Sequence, residues 1–236
     1  MESGSYDGAM PVTAKIALIA ALPREIAGLV GGTKADAALV KDGVWLYRVD
    51  GAVVVAAGMG AERAAVAVES ALAAGDVRVL ISTGLAGGCA AGVVAGSVME
   101  AGVVVDVRKG ERFVGGDGAG VTLATAGAIA SVAEKARLAE SLGAAIVDME
   151  AATVARLAMA RGVEFRAIKG VSDGYDFELS ALAKFEGERG SFRTGSFAAY
   201  TAARPWTWGK AIELGRGSAK ALAGLEVALR GVLAEG

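Results

Sequence analysis

Three carboxylates stand just beyond apolar runs in this chain. Glu25 follows Ile16-Ala17-Leu18-Ile19-Ala20, Glu150 follows Ile146-Val147-Asp148-Met149, and Asp173 follows Ala167-Ile168-Lys169-Gly170-Val171. Glycine clusters occupy similar places: Gly58 and Gly60, with Arg63 behind them, and Gly84, Gly87 and Gly88 after Ser82 and Thr83. A carboxylate can hold or transfer a proton and accepts hydrogen bonds from hydroxyls. Glycine lets a backbone amide come close to a ligand. Gathered at one place, these groups make a site for acid–base chemistry on a small polar molecule. Taken singly, each has a plainer reading. Glu25 and Glu150 suit a first helical turn, where the dipole favours negative charge, and Asp173 in Ser172-Asp173-Gly174-Tyr175-Asp176 suits a turn. Histidine is absent from the 236 residues. A Ser-His-Asp triad, a Cys-His pair and a histidine zinc site are thereby excluded within this chain.

The elements that would position these groups follow from the hydrophobic pattern. Residues 15–22 read as a strand ending at Pro23, and a helix starts at Arg24-Glu25-Ile26. Residues 44–49 and 52–57 read as a hairpin around Asp50-Gly51. Helices are expected at 61–74, 131–141, 150–161 and over most of 206–232, with the chain turning helical after Asp173. Strands are expected at 77–82, 97–106, 121–126, 144–149 and 164–171. Residues 83–96 read as a glycine loop and 109–120 as a mobile polar loop. Strands alternating with helices give an α/β fold: one domain over 15–236, with a central, mixed, mostly buried sheet flanked by helices. Residues 1–14 read as a flexible leader. In such sheets ligands bind at the carboxyl ends of strands, where the three carboxylates fall.

Composition narrows the partners. Hydrophobic residues make up 54% and charged residues 21%, enough to bury a sizeable core. With 24 basic and 26 acidic residues, the net charge of −2 favours neither nucleic acid nor an anionic membrane. The lone Cys89 allows no internal disulfide and reads as a buried small hydrophobe. Residues 79–99 are uncharged and long enough to span a bilayer, but glycines, Ser82, Thr83 and Ser97 interrupt them, so stable membrane insertion is not expected. No basic stretch precedes the first apolar run as in a signal peptide, and the expected location is cytoplasmic.

Four stretches together resemble the nucleoside phosphorylase/nucleosidase family, which contains the 5′-methylthioadenosine/S-adenosylhomocysteine nucleosidases. Ile16 through Glu25 and Ile26 looks like its first strand with a catalytic glutamate. Ser82-Thr83-Gly84-Leu85-Ala86-Gly87-Gly88 is similar to its glycine loop. Val147-Asp148-Met149-Glu150-Ala151-Ala152 looks like its ribose-binding Met-Glu pair, and Val171-Ser172-Asp173-Gly174-Tyr175-Asp176 like its Ser-Asp acid motif. The resemblance implies cleavage of an N-glycosidic bond through an oxocarbenium-like state. It assigns Asp173 as the acid that protonates the leaving purine, oriented by Ser172, and Glu25 as the group that positions or activates water. Glu150 would accept the ribose hydroxyls, Met149 would line the sugar, and the amides around Ala86 and Gly87 would border the base or sugar. It implies a nucleoside substrate, no cofactor and a homo-oligomer.

The nucleophile is water in a hydrolase and phosphate, as co-substrate, in a phosphorylase. Gly60, Arg63 and Thr83 are the candidate anion-binding residues, with Arg24 as a further source of charge. The family's phosphorylases tend to carry an arginine on the strand before the glycine loop, where this chain has Leu80-Ile81-Ser82, and Glu25 resembles the water-using branch. Hydrolysis of an adenine nucleoside with a 5′ substituent is therefore expected. Two departures bear on the substrate. Residues 124–130 lack the aromatic that stacks on the base in the methylthioadenosine enzymes. Arg204-Pro205-Trp206-Thr207-Trp208 resembles the hopanoid-associated branch, which removes adenine from an adenosyl lipid, and Trp206 and Trp208 would there form an apolar entrance. A nucleoside-binding protein without catalysis is the alternative from another class; it would need the ribose acceptor but no acid.

Overall fold

A computed structural model describes residues 15–49, 51–179 and 208–235, with isolated positions between 184 and 195. The expected leader, Asp50 and Trp206 lie outside the described residues. Strand β1 (Ile16–Ala20) is buried along its whole length, as expected of an aliphatic run covered on both faces. Helix α1 (Pro23–Val30) follows, with proline at its first position, and then the one-turn α2 (Ala37–Val40). Strands β2 (Trp45–Val49) and β3 (Ala52–Ala56) pair antiparallel, and the hairpin expectation holds. Helix α3 (Ala61–Ala74) has the expected bounds. After it come β4 (Val79–Ser82), β5 (Leu85–Gly88), β6 (Val98–Asp106), β7 (Arg112–Val114) and β8 (Val121–Thr125). The chain continues through α4 (Val132–Leu142), β9 (Ala144–Asp148), α5 (Ala151–Arg161), β10 (Glu164–Asp173) and α6 (Trp208–Glu235). Ser131 caps α4 by accepting the Glu134 amide, and Gly143 and Gly162 end α4 and α5 in the left-handed conformation.

The ten strands form one mixed sheet in the order β2-β3-β1-β4-β10-β5-β9-β8-β6-β7. An added antiparallel pairing of β10 with β6 closes the second half on itself through β10, β5, β9, β8 and β6. This confirms the α/β class and the mixed, mostly buried sheet. On one face, α3 and α5 cover a core that includes Val53, Val55, Leu80 and Ile146. On the other, α1 and α6 cover Leu18, Val54, Ile81 and Ile168. Among the described residues no helix is long and apolar enough to cross a membrane.

Three sequence expectations need correction. The stretch read as a glycine loop contains β5, and the polar stretch at 109–120 contains β7. Leu-Ala-Gly-Gly has little strand propensity; it is a strand because β10 and β9 supply hydrogen-bonding partners on its two sides. β7 is three residues paired to β6, too short to show a period. After Asp173 the chain turns and runs irregularly through residue 179 instead of entering a helix.

Helix α6 lies close on β10 because both carry small residues at the crossing. A Cβ on Gly217 would stand 2.5 Å from the Ser172 carbonyl oxygen, and one on Gly170 would stand 3.0 Å from that of Ala221. We expect Gly217→Val to push α6 away from the strand that carries Ser172 and Asp173, at a cost of about 1–3 kcal/mol. A thermal melt of the variant should fall by several degrees; an unchanged melt would contradict this packing.

Candidate active site

A cavity of about 480 Å³ opens where β1, β9 and β10 end, alongside Leu85, Ala86 and Gly87 of β5. Glu25, Glu150 and Asp173 all line it, together with Met149, Ser172, Ala86 and Gly87. The tertiary fold thus brings Glu25 together with two carboxylates more than one hundred residues further along the chain, as their strand-end positions lead one to expect. Helix α6 supplies a further wall through Ala211, Leu214 and Leu222, and Leu179 adds to it.

Glu25 sits in the first turn of α1. Its Oε2 accepts the amides of Ala21 and Leu22, each at 3.0 Å, and its Oε1 accepts the Leu85 amide at 3.3 Å. Gly84 makes room for this carboxylate. A Cβ there would lie 2.7 Å from Glu25 Oε2, and the backbone φ of +106° disfavours any other residue.

Glu150 stands at the N-cap position of α5, where its side chain makes no capping bond, and is almost wholly buried. Its Oε1 accepts the Gly60 amide at 2.7 Å, and its Oε2 the Met149 amide at 3.2 Å. Burial and the neighbouring Asp148 charge push its pKa up to about 7, against the pull of Lys169 and the Gly60 amide. Beneath it lies a sealed polar network. Lys169 Nζ meets Asp148 Oδ2 at 2.9 Å, with neither side chain exposed, and also donates to Ser82 Oγ at 3.0 Å and to the Thr83 carbonyl at 2.9 Å. Asp148 accepts the Thr125 hydroxyl at 2.7 Å and the Ala151 amide at 2.9 Å.

Asp173 ends β10 and is buried. Its Oδ2 receives a short bond from Lys135 Nζ, and its Oδ1 lies 2.5 Å from the Ser172 hydroxyl. Burial raises its pKa above the usual carboxylate range, while the Lys135 ammonium and the bonds from Lys135 and Ser172 pull the other way. Such a carboxyl can carry a proton nearer neutrality than a solvated aspartate.

The candidate anion-binding residues are placed differently. Arg63 does not line the cavity; its guanidinium donates to the carbonyls of Ala57, Asp42 and Gly43. The Gly60 amide is taken by Glu150. Thr83 is buried off the cavity, and its hydroxyl has no partner among the described residues. Cys89 is buried, as expected, and burial pushes its thiol up to about 11. Trp208 opens α6, half exposed, and does not line the cavity. Sequence reasoning missed Lys135, Asp148 and Lys169. A lysine on the apolar face of residues 131–141 and a lysine inside the 164–171 strand were the available signals.

The Lys169–Asp148 pair yields a test. Removing one partner strands a buried charge, so we expect Lys169→Met to cost about 3–5 kcal/mol, and Lys169→Met with Asp148→Asn to recover much of it. Chemical denaturation of the three proteins measures the coupling; additive losses would show the pair to be unimportant.

Compared with known proteins, residues 117–196 match the phosphorylase superfamily, and no curated protein matches the chain. Among solved structures the chain is similar to the futalosine hydrolase of Helicobacter pylori, with TM-score 0.69 and 14% identity over 94% of this chain and 98% of that one. It is likewise similar to the H. pylori 5′-methylthioadenosine/S-adenosylhomocysteine nucleosidase bound to butyl-thio-DADMe-Immucillin-A (TM-score 0.68, 13% identity, 94% and 99% covered). The 5′-methylthioadenosine nucleosidase of Arabidopsis thaliana gives TM-score 0.66 and 18% identity over 95% and 96% of the two chains. Over nearly its whole length this chain therefore has the fold of the nucleosidases and futalosine hydrolase of the nucleoside phosphorylase/nucleosidase family, and residues 117–196 carry the sequence pattern of the phosphorylase superfamily.

Proposed function

We propose that the chain is a purine nucleosidase that hydrolyses the N-glycosidic bond of a 5′-substituted adenine nucleoside. The observation that carries this reading is the convergence of Glu25, Glu150 and Asp173 on one cavity, with the most deeply buried acid held by Ser172 and Lys135. Bond cleavage leaves positive charge on the sugar and negative charge on the base. Asp173 donates a proton to the base nitrogen as the bond breaks, Glu150 accepts the ribose hydroxyls, and Glu25 orients the attacking water. The reaction needs no cofactor.

Two features support water over phosphate as nucleophile. The Arg63 guanidinium and the Gly60 amide are both engaged within the protein. Glu25 places a negative charge in the cavity, which repels a phosphate. The phosphorylase reading rests on Arg24, which also lines the cavity. For the substrate, Ala128, Ile129 and Ala130 line the cavity, in the stretch to which the resemblance assigns base stacking, which supports aliphatic contact with the base in place of an aromatic ring. The α6 residues Ala211, Leu214 and Leu222 supply apolar surface suited to an apolar 5′ group.

Incubation with adenosine, inosine, methylthioadenosine and S-adenosylhomocysteine, with and without phosphate, tests the reading. We expect free base and a free 5′-substituted ribose without phosphate; a ribose 1-phosphate formed only with phosphate would overturn hydrolysis. Asp173→Asn should slow base release by about 10²–10⁴-fold while nucleoside binding persists, and Glu25→Gln should slow it with phosphate absent. Tight binding without base release by the natural protein would favour a binding role instead.

The pH dependence has a defined sign. Glu150 accepts ribose hydroxyls best as the anion, and its pKa lies at about 7. Nucleoside binding should therefore strengthen as pH rises through about 7. A KM flat between pH 5 and pH 9 would count against Glu150 as the sugar acceptor.

A further inference from the structure

Lys135 lines the cavity and holds Asp173, and its placement is specific. It lies on the core-facing side of α4, 1% exposed, where an aliphatic residue would pack without the cost of a buried charge. Lysine is almost never buried this fully unless it is paired. Its ammonium has three hydrogens and three acceptors: Asp173 Oδ2, the Gly174 carbonyl at 2.8 Å and the Phe177 carbonyl at 3.0 Å. Every donor is used, and all three acceptors belong to the end of β10 and the turn beyond it. The opposite side is also shaped to the pair. A Cβ on Gly87 would stand 3.2 Å from Lys135 Cε and 3.3 Å from Asp173 Oδ2, tighter than an ordinary contact.

We propose that Lys135 is the positioning residue of Asp173, orienting its carboxyl toward the cavity and holding a compensating charge beside it. The proposal rests on the nucleosidase reading for the use made of Asp173. With Lys135 on Oδ2 and Ser172 on Oδ1, the carboxyl has little freedom to rotate, so its remaining lone pairs keep a constant direction. Among the described residues, Lys135 and Ser172 are the groups that act on Asp173 besides burial, and Cys89, after β5, is held neutral by its raised pKa. Lys135 is thus the cation in contact with the acid. It lowers the pH at which the acid loses its proton, and burial raises that pH.

The sign follows. A general acid works below its pKa and fails above it, so the alkaline limb of the rate profile reports Asp173. Without the Lys135 charge, only the Ser172 bond still opposes burial, and that limb moves to higher pH. A lysine that only supported the fold would lower activity without moving the limb.

The test compares the natural protein with Lys135→Met and Lys135→Arg on a purine nucleoside and on 4-nitrophenyl riboside, whose phenolate leaves without protonation. We expect Lys135→Met to slow purine release by about tenfold or more, to shift the alkaline limb upward, and to leave nitrophenol release within about twofold. Lys135→Arg should restore the limb. Equal slowing on both substrates with an unmoved limb would overturn the proposal. Should Lys135→Met fail to fold, Lys135→Gln keeps donors, loses the charge and carries the same expectations. Titration of the Asp173 carboxyl by carbon NMR needs no turnover: it should move up in the variant, and an unchanged titration refutes the role of Lys135. If the natural protein releases no base from any nucleoside, the nucleosidase reading fails, and the titration still judges Lys135.

Discussion

Lys169 and Asp148 are both sealed from solvent, and their ion pair joins the strand that ends in Asp173 to the strand that leads into Glu150. Neither charge can relax into water, so each needs the other at hydrogen-bonding distance. The same ammonium reaches Ser82 and the Thr83 carbonyl, which ties the end of β4 into the group. The backbone ladders through β5 and β4 already join these strands, and the buried pair adds a side-chain tie between them beside the cavity. The pair also sets the field at Glu150, where the Asp148 charge raises the carboxyl pKa and the Lys169 charge restrains it.

A second buried pair, Lys135 with Asp173, repeats the device, and both of its members line the cavity. Together they solve a common difficulty of such a site. The chemistry calls for carboxylates in a dry place, and a dry place disfavours their ionised forms. Lysine charge partly offsets that penalty at Glu150 and Asp173, whose pKa values burial raises. Glycines make this packing possible: Gly84 clears space for Glu25, and Gly87 for Asp173 and Lys135. The glycine stretch serves the protein's own carboxylates at least as much as any ligand.

The cavity wall formed by α6 shows how a distant part of the chain defines the ligand space. The helix can approach because Gly217 and Gly170 bring its backbone close to β10. Its apolar side chains then face the carboxylates, giving one polar and one apolar side to the same space. The substrate we propose, a nucleoside with a polar sugar and an apolar 5′ substituent, has that division.

Much of this was legible in the residues. Aliphatic runs of five or so residues, alternating with alanine-rich helices, dictate a buried sheet between helical layers because only that arrangement hides both faces of each strand. Glu25, Glu150 and Asp173 were marked by their positions just past such runs. Beyond that, sequence was silent. β5 is a strand because its neighbours need partners, not because Leu-Ala-Gly-Gly favours one. Arg63 looked like an anion ligand but is spent on carbonyls brought near only by folding. Lys135 and Lys169 stand out only as lysines in apolar settings; which carboxylate meets each is not readable until the chain folds. Local pattern determines which faces are buried, because burial is a one-residue property. Which buried charges meet is decided only by the tertiary structure, because pairing depends on two positions whose separation along the chain carries no signal.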